Sequence, residues 1–153
     1  MPNSKCGFND IPGGATGSEM LTAHGPTLIV NIGFDPTFDA AKPGVPIPGI
    51  SGVHALVDTG ASQSFIDSML ASQLGLPVVD KVTISGISGG QETNMYLAQV
   101  HIPSLPWTIY GLFAGVHLAA GGMIHKALIG RTFLQSFTMT YNGKTGNVDL
   151  SSD

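Results

Sequence analysis

The chain carries little charge. Only 10% of its 153 residues are Asp, Glu, Lys or Arg, against about a quarter in an ordinary domain. The net charge is −4 and Arg131 is the single arginine. With no basic run, the sequence lacks the electrostatic footprint of a nucleic-acid binder. Cysteine is nearly absent too. Cys6 stands alone, so no intrachain disulfide can form and a reducing compartment suits the chain. The opening stretch MPNSKCGFNDIPGG holds no apolar segment of a secretory signal, and we expect a cytoplasmic protein. The five histidines (24, 54, 101, 117 and 125) show neither H-x-H nor H-E-x-x-H spacing, so no metal is expected. Ser-His-Asp catalysis is not expected, since the one G-x-S-x-G match, Gly86 to Gly90, falls at the end of a hairpin and not on a strand-to-helix elbow, and Gly13, Gly14 and Gly17 follow no strand that would make them a phosphate loop. No cofactor is expected. One window, Leu105 to Ile124, is free of formal charge over a bilayer's length, yet it contains Pro106, His117 and four glycines. Its WTIY and LF stretches suit buried strands better than a membrane helix, so no membrane partner is expected.

Against these absences stand 21 glycines, 10 prolines and 42% hydrophobic residues. Many turns, few charges and few long amphipathic segments predict one all-β domain with buried strands. Residues 1–25, rich in Gly, Pro, Ser and Asn and without period, are expected to form a mobile arm, with residues 26–153 as the domain. PTLIVNIGF (26–34) reads as the first clear strand, and the stretch after it, with Pro36, Pro43, Pro46 and Pro48, as a long surface loop. VHALV (53–57) returns as a strand. SQSFIDSMLASQLGLP (62–77) predicts a short helix capped by Ser62 or Ser64 and stopped by Gly75 and Pro77. Lys81 to Ile102 reads as a long hairpin with Gly86, Gly89 and Gly90 at its end, and WTIYGLFAGVHL as one or two further buried strands. The chain closes on FTMTYNGKTGNVDL, whose Asn142-Gly143 is a hairpin signal.

Two segments echo one another. ALVDTGA (55–61) and ALIGRTF (127–133) each run from Ala through two branched apolar residues into a break of small or polar residues. The first break carries Asp58 and the second Gly130. An acid at the end of a buried strand needs a reason, because a lone buried carboxylate costs several kcal/mol or more unless it pairs, neutralises or works.

The D-T-G of ALVDTGAS, the glycine-tipped hairpin ISGISGG and the late ALIGRTFL, in that order and separation, resemble the retropepsin family. These are the single-domain aspartic proteases of retroviruses and their cellular and bacterial relatives. The resemblance spans roughly residues 27–150. It implies a closed acid-protease barrel or sandwich with one or two short helices, assembled as a homodimer, and a peptide or protein substrate. Peptide hydrolysis by this route uses two carboxylates sharing one proton around a water, one as base and the other as acid. The chain has one D-T-G, so the resemblance implies that Asp58 pairs with its own symmetry mate.

Residue by residue, the resemblance makes Asp58 catalytic and Thr59, Gly60 and Ala61 the rest of the active-site loop. Thr59 would bond across the two subunits, and Gly60 would let substrate backbone approach. Ser85, Gly86, Ile87, Ser88 and Gly89 would form the flap, with Ile87 at its tip. Leu56 and Leu128 match positions that line substrate pockets, and Gly130 and Arg131 would support the loop. Two departures stand out. Retroviral members commonly carry an acid after D-T-G-A that pairs with the late arginine. Here Ser62 occupies that place, so Arg131 is expected to bond backbone carbonyls or Asp67. The C-terminal hairpin also replaces the short terminal strands that knit retroviral dimers. A catalytically silent dimerisation or peptide-binding module with the same fold is the alternative.

Overall fold

The computed structural model describes residues 3–39, 48–86 and 89–152, which contain ten strands and three short helices. The main sheet uses β2 (Thr27–Gly33), β3 (Gly49–Val57), β4 (Phe65–Asp67), β5 (Val78–Gly86), β6 (Gly89–Ile102), β7 (Trp107–Val116) and β8 (Ala127–Ile129). Their order is β2-β3-β8-β4-β7-β6-β5, and a further β2–β6 pairing joins the two sides. Six strands thereby close into a barrel, which removes free edges. Only β5 remains outside the ring, paired to β6.

The barrel interior follows from the period of two in its strands. Leu28, Val30 and Ile32 of β2, Tyr96, Ala98, Val100 and Ile102 of β6, and Ile109 and Phe113 of β7 all point inward and are buried. Ala55, Val57, Ala127 and Ile129 fill the β3–β8 side. Each fully buried Leu, Ile, Val or Phe stabilises the fold by about 1.5–3 kcal/mol. Gly111 is small for a packing reason, since a Cβ there would meet the Phe133 ring at 2.9 Å. Phe133 stacks on Phe113 with ring centroids 5.2 Å apart. The uncharged window from Leu105 holds β7, and no helix among the described residues is long and apolar enough to cross a membrane.

The echoed segments lie side by side. β3 and β8 pair in parallel with Ala55 opposite Ala127, Leu56 opposite Leu128 and Val57 opposite Ile129. The strands therefore deliver Asp58 and Gly130 to the same end of the barrel.

Residues 3–25 differ from the expected mobile arm. β1 (Asn3–Lys5) pairs with β10 (Asn147–Ser151), which pairs with β9 (Thr138–Asn142), making a second, three-stranded sheet. Cys6 donates its N–H to Val148 O at 2.9 Å and accepts from Thr27 N at 2.7 Å, which ties this sheet to the barrel. Helix α1 (Gly17–His24) starts with a reciprocal capping box. Glu19 N donates to Thr16 Oγ1 and Thr16 N to Glu19 Oε1, both at 3.1 Å. Leu21 of this helix is buried, as is Cys6. The T-x-x-E signature of that box is present in the sequence, and composition hid it.

Two smaller differences concern ends of elements. Helix α2 (Ser68–Gln73) is capped by Asp67, not by Ser62 or Ser64, and β4 stands before it. The last hairpin pairs Asn142 with Asn147, so its turn has four residues and not two. Asn142 Oδ1 accepts from Lys144 N and Thr145 N inside that turn, and Gly146 takes the left-handed φ of 83° that closes it.

Integration of residues 3–25 is open to direct measurement. Thr16→Ala should cost about 1 kcal/mol through the lost cap, and Leu21→Ala about 3 kcal/mol through its cavity. Urea unfolding reads both, and an unattached arm would show no change in either.

Candidate active site

Asp58 leaves β3 directly after Val57 and begins a loop that runs to Ser64. Its backbone N–H donates to Ile129 O at 2.9 Å. Within the loop, Asp58 Oδ1 accepts from Gly60 N at 3.0 Å, and Asp58 O accepts from Ala61 N at 3.3 Å. Oδ2 has no hydrogen-bond partner among the described residues. Asp58 is half-buried, while Thr59 and Gly60 are exposed.

The segment 129–132 holds this loop along its length. Arg131 N donates to Ala61 O at 2.8 Å, and Thr132 N to Ser62 O at 3.2 Å. Gly130 N donates to Ser64 Oγ at 2.8 Å, and the Ser64 and Thr132 hydroxyls bond at 3.0 Å. Arg131 Nη1 donates to Thr59 O at 2.7 Å. With the Asp58–Ile129 bond these make six links. The arginine thus takes a backbone carbonyl, one of its two expected partners. Asp67 is occupied elsewhere. It is 3% exposed and accepts from Leu70 N, Leu118 N and Ala119 N. Helix α3 (Arg131–Leu134) follows at once, with Gly130 as its N-cap. Gly130 admits no side chain, because a Cβ there would sit 2.2 Å from Gln63 O and 2.9 Å from Ala61 O.

The remaining sequence-derived residues that are described lie on β3, β8 and the β5–β6 ladder. Leu56 and Leu128 are register partners, both half-buried, on the face opposite Ala55 and Ala127. Thr27 lies beside Leu56 and Phe65 beside Leu128 in the same row. Ser85 pairs with Gly90 and Gly86 with Gly89 at the far end of the β5–β6 ladder, while Ile87 and Ser88 lie outside the described residues. From Lys81 opposite Asn94 outward, that ladder has two strands only. At its root Gln63 Nε2 donates to Met95 Sδ at 3.7 Å, which links the loop to β6. A groove of about 360 Å³ borders Thr59 and Arg131, walled by Leu134, Phe137, Met139 and Leu150.

Sequence reasoning missed Ser64, Thr132 and His125. Ser64 is wholly buried, and the only signal for it is a lone hydroxyl just before the apolar pair Phe65-Ile66. His125, 3% exposed, precedes β8. The Thr27 hydroxyl donates to Gly25 O at 2.9 Å, so it accepts from His125 Nε2–H, also at 2.9 Å. That assigns the neutral ring its tautomer and leaves Nδ1 buried without a partner among the described residues. Burial, with His54 and His24 facing it, pushes the imidazole below its ordinary value of 6.5.

A family model described as aspartyl protease matches residues 45–133, over half of the chain. No curated protein matches it. Among solved structures, the chain is similar to EIAV protease complexed with the inhibitor HBY-793. The identity is 21%, with 72% of this chain and 85% of that one covered and a TM-score of 0.43.

The state of His125 has a consequence for stability. The unfolded chain binds a proton at this imidazole more readily than the folded one, so the contribution is complete above pH 6.5 and declines as the pH falls below it. Urea midpoints measured from pH 8 to pH 5 should fall, and His125→Gln should flatten the decline. An unchanged slope in the variant would remove His125 as the cause.

Proposed function

The chain belongs to the aspartyl protease family, and from that premise we propose that it is an aspartic endopeptidase active as a homodimer. Asp58 of each copy contributes one carboxylate to the site. One carboxylate takes a proton from a water as its oxygen attacks the peptide carbonyl carbon. The other gives its proton to the carbonyl oxygen. Collapse of the tetrahedral intermediate then breaks the C–N bond, and the leaving nitrogen takes a proton from the dyad. The β5–β6 ribbon serves as the flap over the bound peptide. Leu56 and Leu128 line apolar pockets beside the scissile bond.

The observation that carries this reading is the immobilised loop: six hydrogen bonds to residues 129–132 fix the backbone around Asp58 while Thr59 and Gly60 stay exposed. Fixed backbone around a carboxylate with one oxygen unengaged is what preorganised catalysis requires. The need for a second copy is supported by the echo. Its register brings Gly130, not an acid, to the same end as Asp58, and the steric limit at Gly130 bars a carboxylate there. On the side of a non-catalytic module stands the Asp58–Gly60 bond, since a turn aspartate bonds its own loop in the same way.

Cleavage of a diverse peptide library between about pH 3 and 7 separates the two, a range that carboxylate dyads span. Wild type should cleave, and Asp58→Asn should lose about 10²–10⁴-fold in rate, the range for a lost acid–base group. Equal rates in both, or none in either while peptide binds intact, would favour the module.

A further inference from the structure

One peptide group sits at the centre of the loop's anchoring. The carbonyl of Ile129 accepts the N–H of Asp58 at 2.9 Å, at the loop's start. Across the same peptide bond, the N–H of Gly130 donates to Ser64 Oγ at 2.8 Å, at the loop's end. A peptide group is planar, so tilting one end tilts the other. Ser64 is itself held fast. Its side chain is wholly buried, its carbonyl accepts from Ala114 N of β7 at 3.0 Å, and its hydroxyl shares a bond with Thr132 at 3.0 Å. The hydroxyl accepts from Gly130, so its own proton is free to go to Thr132 Oγ1. Among the described residues, no other side-chain atom is bonded to the Gly130 N–H.

We propose that Ser64 is a positioning residue for Asp58, acting through the Ile129–Gly130 peptide. The Ser64 hydroxyl holds that peptide in the orientation at which its carbonyl receives the Asp58 N–H, and so sets where the carboxylate stands. Asp58 touches the reacting water; Ser64 does not. The inference rests on the reading of Asp58 as the catalytic carboxylate. Its role is distinct from that of Arg131, which grips Thr59 from the exposed side.

The test compares wild type with Ser64→Ala, Ser64→Cys and Ser64→Thr in the full chain, at a temperature where each is folded. Ser64→Ala should lose about 10- to 100-fold in kcat, the scale for a small misplacement of a reacting group, with KM within about two-fold, since no substrate contact is removed. Ser64→Thr keeps the hydroxyl and should recover most of kcat. Ser64→Cys, a weaker and longer acceptor, should fall between and serves if the alanine variant does not fold. A second readout is independent of cleavage. By NMR, hydrogen exchange of the Asp58 and Gly130 amides should quicken at least about 10-fold in Ser64→Cys, while that of Val100 in the barrel core stays as in wild type. Loss of stability with kcat and the Asp58 amide unchanged would overturn the proposal. If wild type cleaves nothing, the proposed activity fails, and the amide exchange alone still decides whether Ser64 holds Asp58.

Discussion

The structure depends on the parallel pairing of β3 with β8. The paired segments 55–57 and 127–129 are sequence echoes. Laid in register, they bring the only D-T-G of the chain against a turn that has glycine where the first has aspartate. Everything around the candidate site follows from that juxtaposition. The loop 58–64 has little secondary structure of its own, and its polar backbone groups find partners on residues 129–132. A loop so near a barrel end cannot leave such groups buried and unpaired without a cost of about 1–3 kcal/mol each. The bonds that satisfy them are the same bonds that fix Asp58.

Size complements hydrogen bonding. Gly130 has to be glycine, because Gln63 and Ala61 present carbonyl oxygens where its Cβ would be. Gly111 yields space to Phe133, whose helix begins one residue after Gly130 and whose ring closes on Phe113 inside the barrel. The packing of α3 and the geometry of the loop are therefore one arrangement. The terminal sheet adds a second layer, joined to the barrel through Cys6 and Thr27. Burial pushes the Cys6 thiol up to about 12, so it behaves as a packed apolar group and not as a nucleophile.

Much of this was legible in the sequence. The apolar runs around Val30, Val57 and Phe113 gave their strands, because a buried strand needs little beyond branched and aromatic residues between turn signals. The Lys81–Ile102 hairpin was legible from its glycines, and the D-T-G with its echo marked the candidate site. The misses have physical causes. Ser62 and Ser64 looked like helix caps by their place before an apolar run, but Ser64 is engaged by the Gly130 amide and Asp67, three residues on, caps the helix. The arm looked structureless by composition because glycines at 7 and 17 are there for close backbone contact with residues 145–148, not for freedom. Arg131 could be assigned a carbonyl in kind but not in person, since Thr59 lies 72 positions away in the chain. His125 left no local mark at all, because its partner Thr27 and its burial come from strands distant in sequence.

In the proposed reading, a working site needs two copies of this chain, each giving one Asp58. Its most direct test is the binding stoichiometry of a statine-type transition-state mimic, measured by titration calorimetry on the purified protein. A site shared between two chains should take one molecule of the mimic for every two chains, with binding abolished in Asp58→Asn. One molecule per chain, or binding that the substitution leaves unchanged, would contradict it.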